Sequence, residues 1–307
     1  MKKTVGIIGL GRMGGGLAQN LLDHKWKVVG FNRSSDVTKS LEKVGLTASY
    51  SFAELVKNLP KPRVIILMLT AGKANDEVLF GKDGLINYLE KGDIVIDGAN
   101  SFYKEDAERG KKLKAKGIIF MDAGISGGPG GARTGACCMV GGDKKTFEYV
   151  EQLFKDISIT DGYMHFEGIG AGHFVKMVHN GIEYGMMQSI AEGFEIMQKS
   201  PYKLNLLDVT EIYQHGSVVT SRLVGWLQDA FKKYGTDLKD VSGAVGFTGE
   251  GEWTAATAKE LGVPAKIIEE SYKFRVASQK KPSFTGKALT GMRNSFGHHS
   301  IEKGKMT

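Results

Sequence analysis

Apolar residues in the first half of the chain gather in short runs. TVGIIGL (4–10), KVVGFN (27–32), RVIILML (63–69), DIVIDG (93–98) and GIIFMDAG (117–124) read as buried strands. Between and after them, stretches near 12–23, 36–45, 74–90, 103–116 and 144–155 read as helices. The strand runs are nearly continuous instead of alternating, which predicts a parallel sheet covered on both faces. The second half changes character. From about Gly172 to Ser200 there is no proline and the apolar spacing is helical, and further helical runs follow near 204–215, 218–234, 252–261 and 264–279. No strong strand signal follows about residue 165. An α/β domain over 1–165 and an all-helical domain over 166–307 are therefore expected. The last stretch, KKPSFTGKALTGMRNSFGHHSIEKGKMT, is polar and glycine-containing. It reads either as a disordered tail or, from its Arg and His, as a segment that serves a ligand.

Composition adds one strong feature. The chain has 42 glycines in 307 residues, about twice the usual share, and they cluster at strand ends. Backbone must turn tightly or approach a ligand there. The net charge of +7, from 41 basic and 34 acidic residues, is too small to mark a nucleic-acid binder, and no basic-aromatic patch accompanies it. It would suit an anionic small substrate as well as a solvated surface. Cys137 and Cys138 are adjacent, sit in the apolar run ACCMV, and read as small buried hydrophobes in a reducing, cytoplasmic setting. MKKTVGIIGLG has too short an apolar run for a signal peptide, and no run approaches membrane-spanning length. No His, Cys or carboxylate spacing suggests a metal.

Gly9-Leu10-Gly11-Arg12-Met13-Gly14 ends an apolar strand and opens an amphipathic helix, the setting the GxGxxG dinucleotide pattern requires. A Rossmann-like, doubly wound sheet follows from it. Gly9 permits the turn, Gly11 lets backbone reach the pyrophosphate, and Gly14 lets helix and strand pack. The second strand ends in Asn32, Arg33 and Ser34, where an NAD site usually carries an acid. Arg33 can pair with a 2′-phosphate, so NADP is favoured over NAD. Met68, Leu69 and Asn100, at the ends of the next two strands, complete the expected cofactor contacts.

The densest pattern is GAGHFVKMVHNGIEYG, residues 170–185. Lys176, His179, Asn180 and Glu183 fall at i, i+3, i+4 and i+7 and share one helix face. Such a face can simply be solvated. Here Phe174, Val175, Met177, Val178 and Ile182 flank it, which argues for a helix with much of its surface buried. IDGANS (96–101) and GISGGPGGARTG (124–135) end strands, and Ser126-Gly127-Gly128 could offer N–H groups to an anion.

The runs GLGRMG, FNRS, VIDGANS, ISGG, GAGHFVKMVHNGIEYG, GEGEWT and RNSFGHH resemble, in order, those of 6-phosphogluconate dehydrogenases, and the length and GEGEWT form look like the short branch. The resemblance implies Lys176 as general base and Glu183 as general acid. It implies Asn100, Ser126, Gly127, Gly128, His179 and Asn180 as substrate contacts, and Tyr184, Arg275, Arg293 and His299 as phosphate contacts. It further implies a homodimer in which the tail, with Arg293 and His299, completes the neighbouring active site. Two places depart from the longer enzymes. Pro129 and Gly130 replace acidic residues, and Thr248 and Glu250 stand where Thr and Lys meet the phosphate. The activity implied is oxidation and decarboxylation of 6-phosphogluconate to ribulose 5-phosphate, without a metal. Two other readings compete. A β-hydroxyacid dehydrogenase for a small acid would not need Glu183, His179 or the tail. A non-catalytic nucleotide sensor would not need Lys176 and Glu183 on one face.

Overall fold

The computed structural model describes residues 1–302; the last five residues of the tail and of the expected helical domain, 303–307, lie outside the described residues. Contacts divide the chain into two compact units, Met1–Met177 and Val178–Thr307. The division falls inside a helix, twelve residues beyond the boundary expected from the change from strand to helix pattern.

In the first unit, strands β1 (Thr4–Ile8), β2 (Lys27–Phe31), β3 (Thr47–Ser49), β4 (Val64–Leu67), β5 (Ile94–Asp97), β6 (Ile119–Ser126), β7 (Ala136–Gly142) and β8 (Ser158–Glu167) form one sheet in the order β3-β2-β1-β4-β5-β6-β7-β8. Every neighbouring pair is parallel except β6 with β7. Helices α1 (Arg12–Asp23), α2 (Ser35–Glu42), α3 (Phe52–Lys57), α4 (Lys73–Phe80), α5 (Tyr103–Lys114), α6 (Gly128–Thr134) and α7 (Lys144–Ile157) connect them. The apolar strands fill two cores. Val5, Ile7, Val28 and Ile66 pack with Leu17 and Leu21 of α1 and Phe154 of α7. Ile8, Val29, Ile65 and Val95 pack with Leu55 of α3, Leu79 of α4 and Leu113 of α5. Alternate residues thus feed opposite faces, as expected for a doubly covered sheet. The strand order reverses at β1, and ligands of such sheets bind at the carboxyl ends beside that reversal.

The second unit is helical. The long helix α8 (Ala171–Gln198) enters it and is followed by α9 (Leu206–Tyr213), α10 (Arg222–Tyr234), α11 (Gly249–Glu260), α12 (Lys266–Ser278) and α13 (Phe284–Gly297). Its core joins Met187, Ala191 and Phe194 of α8 to Leu227 and Phe231 of α10 and to Leu289 and Met292 of α13. Among the described residues, no helix is long and apolar enough to cross a membrane.

Several local expectations change. The stretch read as one helix over 74–90 breaks at Gly81, where a Cβ would lie 2.5 Å from the Glu77 carbonyl oxygen, and resumes as a single 3-10 turn at Leu85–Asn87. Cys137 is exposed and only Cys138 is buried, because ACCMV is a strand whose first residues alternate. Burial pushes the Cys138 thiol up to about 12, so it stays protonated. Ile182 is exposed, so it gives no support to a buried helix surface. The stretch read as a disordered tail holds α13, one of the most buried helices of its unit.

Candidate active site

The glycine turn is built by contact. A Cβ at Gly9, which has φ +95, would lie 2.3 Å from the Met68 carbonyl oxygen, and one at Gly14 would lie 1.9 Å from the Gly9 carbonyl oxygen. Strand and helix meet there with no room for a side chain. A Cβ at Gly11 would meet nothing within 4 Å. Gly11 caps α1, and its carbonyl takes the first helical bond from Gly15 at 2.7 Å. An open approach to a helix N-terminus suits the pyrophosphate of a dinucleotide. Arg12 is exposed and Met13 half-buried on the first turn of α1.

Asn32 accepts a hydrogen bond from the Leu10 N–H at 3.0 Å and donates to the Ser34 carbonyl at 3.2 Å. It therefore stitches the end of β2 to the glycine turn, a structural duty besides any cofactor contact. Arg33 is exposed, and Ser34 caps α2. Half-buried Met68 and Leu69 follow β4. A Cβ on Gly98 would meet the Met68 sulfur at 2.8 Å, so the Gly98 backbone closes over that side chain. Asn100 has φ +53, and its amide bonds the Ile125 backbone both ways, accepting from N–H at 2.9 Å and donating to C=O at 3.2 Å. Asn tolerates that left-handed conformation better than most residues. The clip holds the IDGANS loop beside the end of β6. Ser126 ends β6, and Gly127 and Gly128, with φ +121 and +62, turn the chain into α6, where Pro129 sits in the first turn.

Helix α8 is uninterrupted from Ala171 to Gln198, so Lys176, His179, Asn180 and Glu183 do line one side of it. Lys176 is buried. Its stem lies on Gly124 of β6, where a Cβ would fall 2.3 Å from the lysine Cβ. Beyond Met177, His179 Nδ1 lies 2.8 Å from the Asn180 side-chain oxygen and 4.0 Å from a Glu183 oxygen.

Within the second unit, Tyr184 is held between two neighbours. The Arg275 guanidinium lies 3.4 Å from its ring centroid, and a Cβ at Gly251 of α11 would lie 2.4 Å from its ring. Its hydroxyl donates to the Thr248 carbonyl at 3.4 Å, and Thr248 donates to Glu250 at 2.6 Å. Arg275 and Arg293 are both buried. Burial holds Arg275 below its ordinary value and leaves its Nε without a hydrogen-bond partner. Burial and the charge of Arg275 push Arg293 down to about 10, against the pull of Tyr184, Glu183 and Glu250. Two interacting guanidiniums in a buried place raise each other's free energy, and an anion set between them reverses the sign. A phosphate fits that requirement. Arg293 reaches this cluster from its own chain, from α13 past Gly246, where a Cβ would lie 2.8 Å from its Nη1. His299 follows α13 and sets its ring 5.9 Å from that of Phe296.

Residues 4–165 match the NAD-binding domain of 6-phosphogluconate dehydrogenase, and residues 172–288 match the C-terminal domain of that enzyme. The chain belongs to the 6-phosphogluconate dehydrogenase family. YqeC of Bacillus subtilis, provisionally named a 6-phosphogluconate dehydrogenase, is 40% identical over 97% of this chain and 99% of its own. The NAD(+)-dependent, decarboxylating 6-phosphogluconate dehydrogenase of Haloferax volcanii is 36% identical over 97% of this chain and 98% of its own. The Plasmodium falciparum 6-phosphogluconate dehydrogenase structure, determined apo, with its cofactor NADP+ and with its substrate 6-phosphogluconate, superposes with a TM-score of 0.79 at 31% identity. That likeness covers 90% of this chain and 62% of the longer Plasmodium chain.

Within the family frame, sequence reasoning missed four residues around the lysine. Asp122 sits inside β6, Asp106 on α5, His173 on the first turn of α8, and Gly124 under Lys176. The available signals were an acid in the apolar run FMDAG and a histidine one helical turn before the lysine.

Proposed function

We propose that the chain oxidises and decarboxylates 6-phosphogluconate to ribulose 5-phosphate and carbon dioxide while reducing a nicotinamide dinucleotide. Family membership makes it a decarboxylating, NAD(P)-dependent dehydrogenase. The observation that carries the substrate reading is the buried Arg275–Arg293 pair around Tyr184, two cations whose mutual repulsion an anion would relieve. A small unphosphorylated acid has a single carboxylate, which the reaction itself consumes or holds at the lysine, so it brings no second anion for those arginines.

The bound dinucleotide supplies the acceptor for the hydride leaving carbon 3. Lys176, neutral in the complex, takes the proton of the hydroxyl on that carbon. The resulting β-keto acid loses its carboxylate as carbon dioxide, because the keto group accepts the electron pair. Lys176, now protonated, stabilises the enolate oxygen, and Glu183 delivers a proton to the carbon that becomes carbon 1. His179, Asn180, Asn100 and the Ser126-Gly127-Gly128 turn orient the sugar acid. The direct test is turnover of purified protein with 6-phosphogluconate and with gluconate, each with NADP and with NAD, following carbon dioxide. Oxidation of 6-phosphogluconate without carbon dioxide release, or equal turnover of gluconate, overturns the reading.

NADP is the favoured cofactor. No acid precedes Asp36 after β2, and Arg33 stands exposed where a 2′-phosphate would lie. Arg33→Ala should raise KM for NADP roughly tenfold or more and leave KM for NAD nearly unchanged, the scale of one charge-assisted contact. Equal effects on both cofactors would take Arg33 out of phosphate recognition.

The assembly we favour is a homodimer in the cytoplasm, with residues 166–307 binding substrate and forming the dimer. The resemblance puts Arg293 and His299 in the partner's site; the place of Arg293 beside Arg275 favours a clamp made within one chain. Mixing Lys176→Met with Arg293→Met protein under subunit exchange separates the two. Random exchange makes about half the dimers mixed. A clamp within one chain leaves both sites of a mixed dimer defective, so activity should stay at the sum of the parents. Recovery to about a quarter of wild type would show a clamp across subunits.

A further inference from the structure

The start of α8 is held by groups that the proposed chemistry does not use. Asp122 of β6 accepts the Gly170 N–H at 2.6 Å and the His173 N–H at 2.7 Å. The Gly170 carbonyl takes the first helical bond, from Phe174 at 2.8 Å. One carboxylate on a distant strand thus does what a capping residue and its partner three positions on usually do locally. The carboxylate fits because nothing projects from Gly141 or Gly172. A Cβ on the first would lie 2.3 Å from an Asp122 oxygen, and on the second 2.9 Å.

His173 aims Nδ1 at Asp106 of α5, 2.7 Å away, with both side chains fully buried. Other charged groups close around the pair. Arg109 of α5 has Nη1 at 3.6 Å from Asp106 and 3.7 Å from Asp97, and so supplies the positive charge between those two acids. Asp97 of β5 also accepts from Asn75 of α4 and from Ser101. Asp76 of α4 and Glu105 of α5 bind the outer edge of Arg109. Burial alone would depress the His173 imidazolium; its bond to Asp106, with the charges of Asp106, Asp97 and Asp122, overrides that and holds it up at about 9. The folded value lies above the unfolded one of about 6.5. The stability this histidine adds is therefore lost as pH rises through about 9, and the charge pairing itself ends as pH falls through about 6, where the Asp106 carboxyl, raised by burial, takes up a proton.

Lys176 is one turn beyond His173 on α8, and its stem rests on Gly124, two residues along β6 from Asp122. The same strand therefore grips the helix by its end and by its lysine. We propose that Asp122, His173 and Asp106 are positioning residues for Lys176: they fix the height and rotation of the first turns of α8 so that the amine meets the substrate hydroxyl. The proposal rests on Lys176 being the base.

The test compares His173→Leu, His173→Asn and Asp122→Asn, with Lys176→Met as control. Asn keeps a donor near the place of Nδ1 but no charge. His173→Leu should lower kcat about tenfold or more, with KM for sugar acid and dinucleotide within about twofold, since misplacing a reacting group by about 1 Å costs rate more than binding. His173→Asn should recover most of the loss. Amide hydrogen exchange over residues 171–177 of unliganded protein should quicken in His173→Leu and not in Lys176→Met. If His173→Leu does not fold, Asp122→Asn, which keeps shape and an acceptor, carries the same split between kcat and KM. Unchanged kcat per folded molecule in these variants, with Lys176→Met inactive, overturns the positioning role alone. Turnover retained by Lys176→Met removes the base on which it rests.

Discussion

Replacing Lys176 with Met is expected to lower turnover by about a hundredfold or more, the scale of losing a general base, with the fold intact. Met keeps the length and helix propensity of the side chain. It also keeps the packing on Gly124, which touches only the stem of the lysine. The exchanged group is the buried amine. Because the stem packing is kept, thermal unfolding should move little, and dinucleotide affinity should stay near wild type. Near-normal turnover would take Lys176 out of the mechanism. A large fall in melting temperature together with activity would mean that the variant reports on packing and not on chemistry.

The parts of the fold that were legible in the sequence share one property: their pattern and their burial coincide. The central strands β1, β2, β4, β5 and β6 are buried on both faces, so they appear as unbroken apolar runs. The edge strand β8 is the opposite case. Ile159 and Met164 are exposed in it, and its burial follows no period, so ITDGYMHFE carries no strand signal. Helix α13 was hidden for a different reason. It is buried through small and polar residues as much as through Phe284, Leu289 and Met292. A Cβ at Gly286 would fall 1.9 Å from the Gly243 carbonyl oxygen, and one at Gly291 would fall 2.9 Å from the Ala230 Cβ. Close backbone approach reads, letter by letter, as a polar, glycine-containing tail. The site divides the same way. Lys176, His179, Asn180 and Glu183 share a local period and could be placed on one face from spacing alone. Asp106, Asp122 and His173 come from three elements that meet only in the folded unit. No local pattern links them.

Arg293→Met should move binding and stability in opposite directions. With substrate absent, the wild-type arginine sits buried beside Arg275, and both guanidiniums are held below their ordinary values. Replacing one of them with an apolar side chain of similar length removes both a like-charge contact and a desolvation cost. The melting temperature of the unliganded variant should therefore hold or rise. With substrate present, the variant loses a charge-assisted contact to the phosphate worth about 1.5–3 kcal/mol. KM for 6-phosphogluconate should rise by roughly ten- to a hundredfold, while KM for the dinucleotide stays near wild type. Gluconate, which has no phosphate, should be turned over equally poorly by both proteins. Substrate should also lose much of its power to raise the melting temperature, because stabilisation by a ligand follows its affinity for the folded state. A purely structural arginine would behave in the reverse way: unliganded melting would fall by several degrees and KM for 6-phosphogluconate would not change. That pattern would remove the phosphate from the Arg275–Arg293 pair and bring back a small, unphosphorylated acid as the substrate.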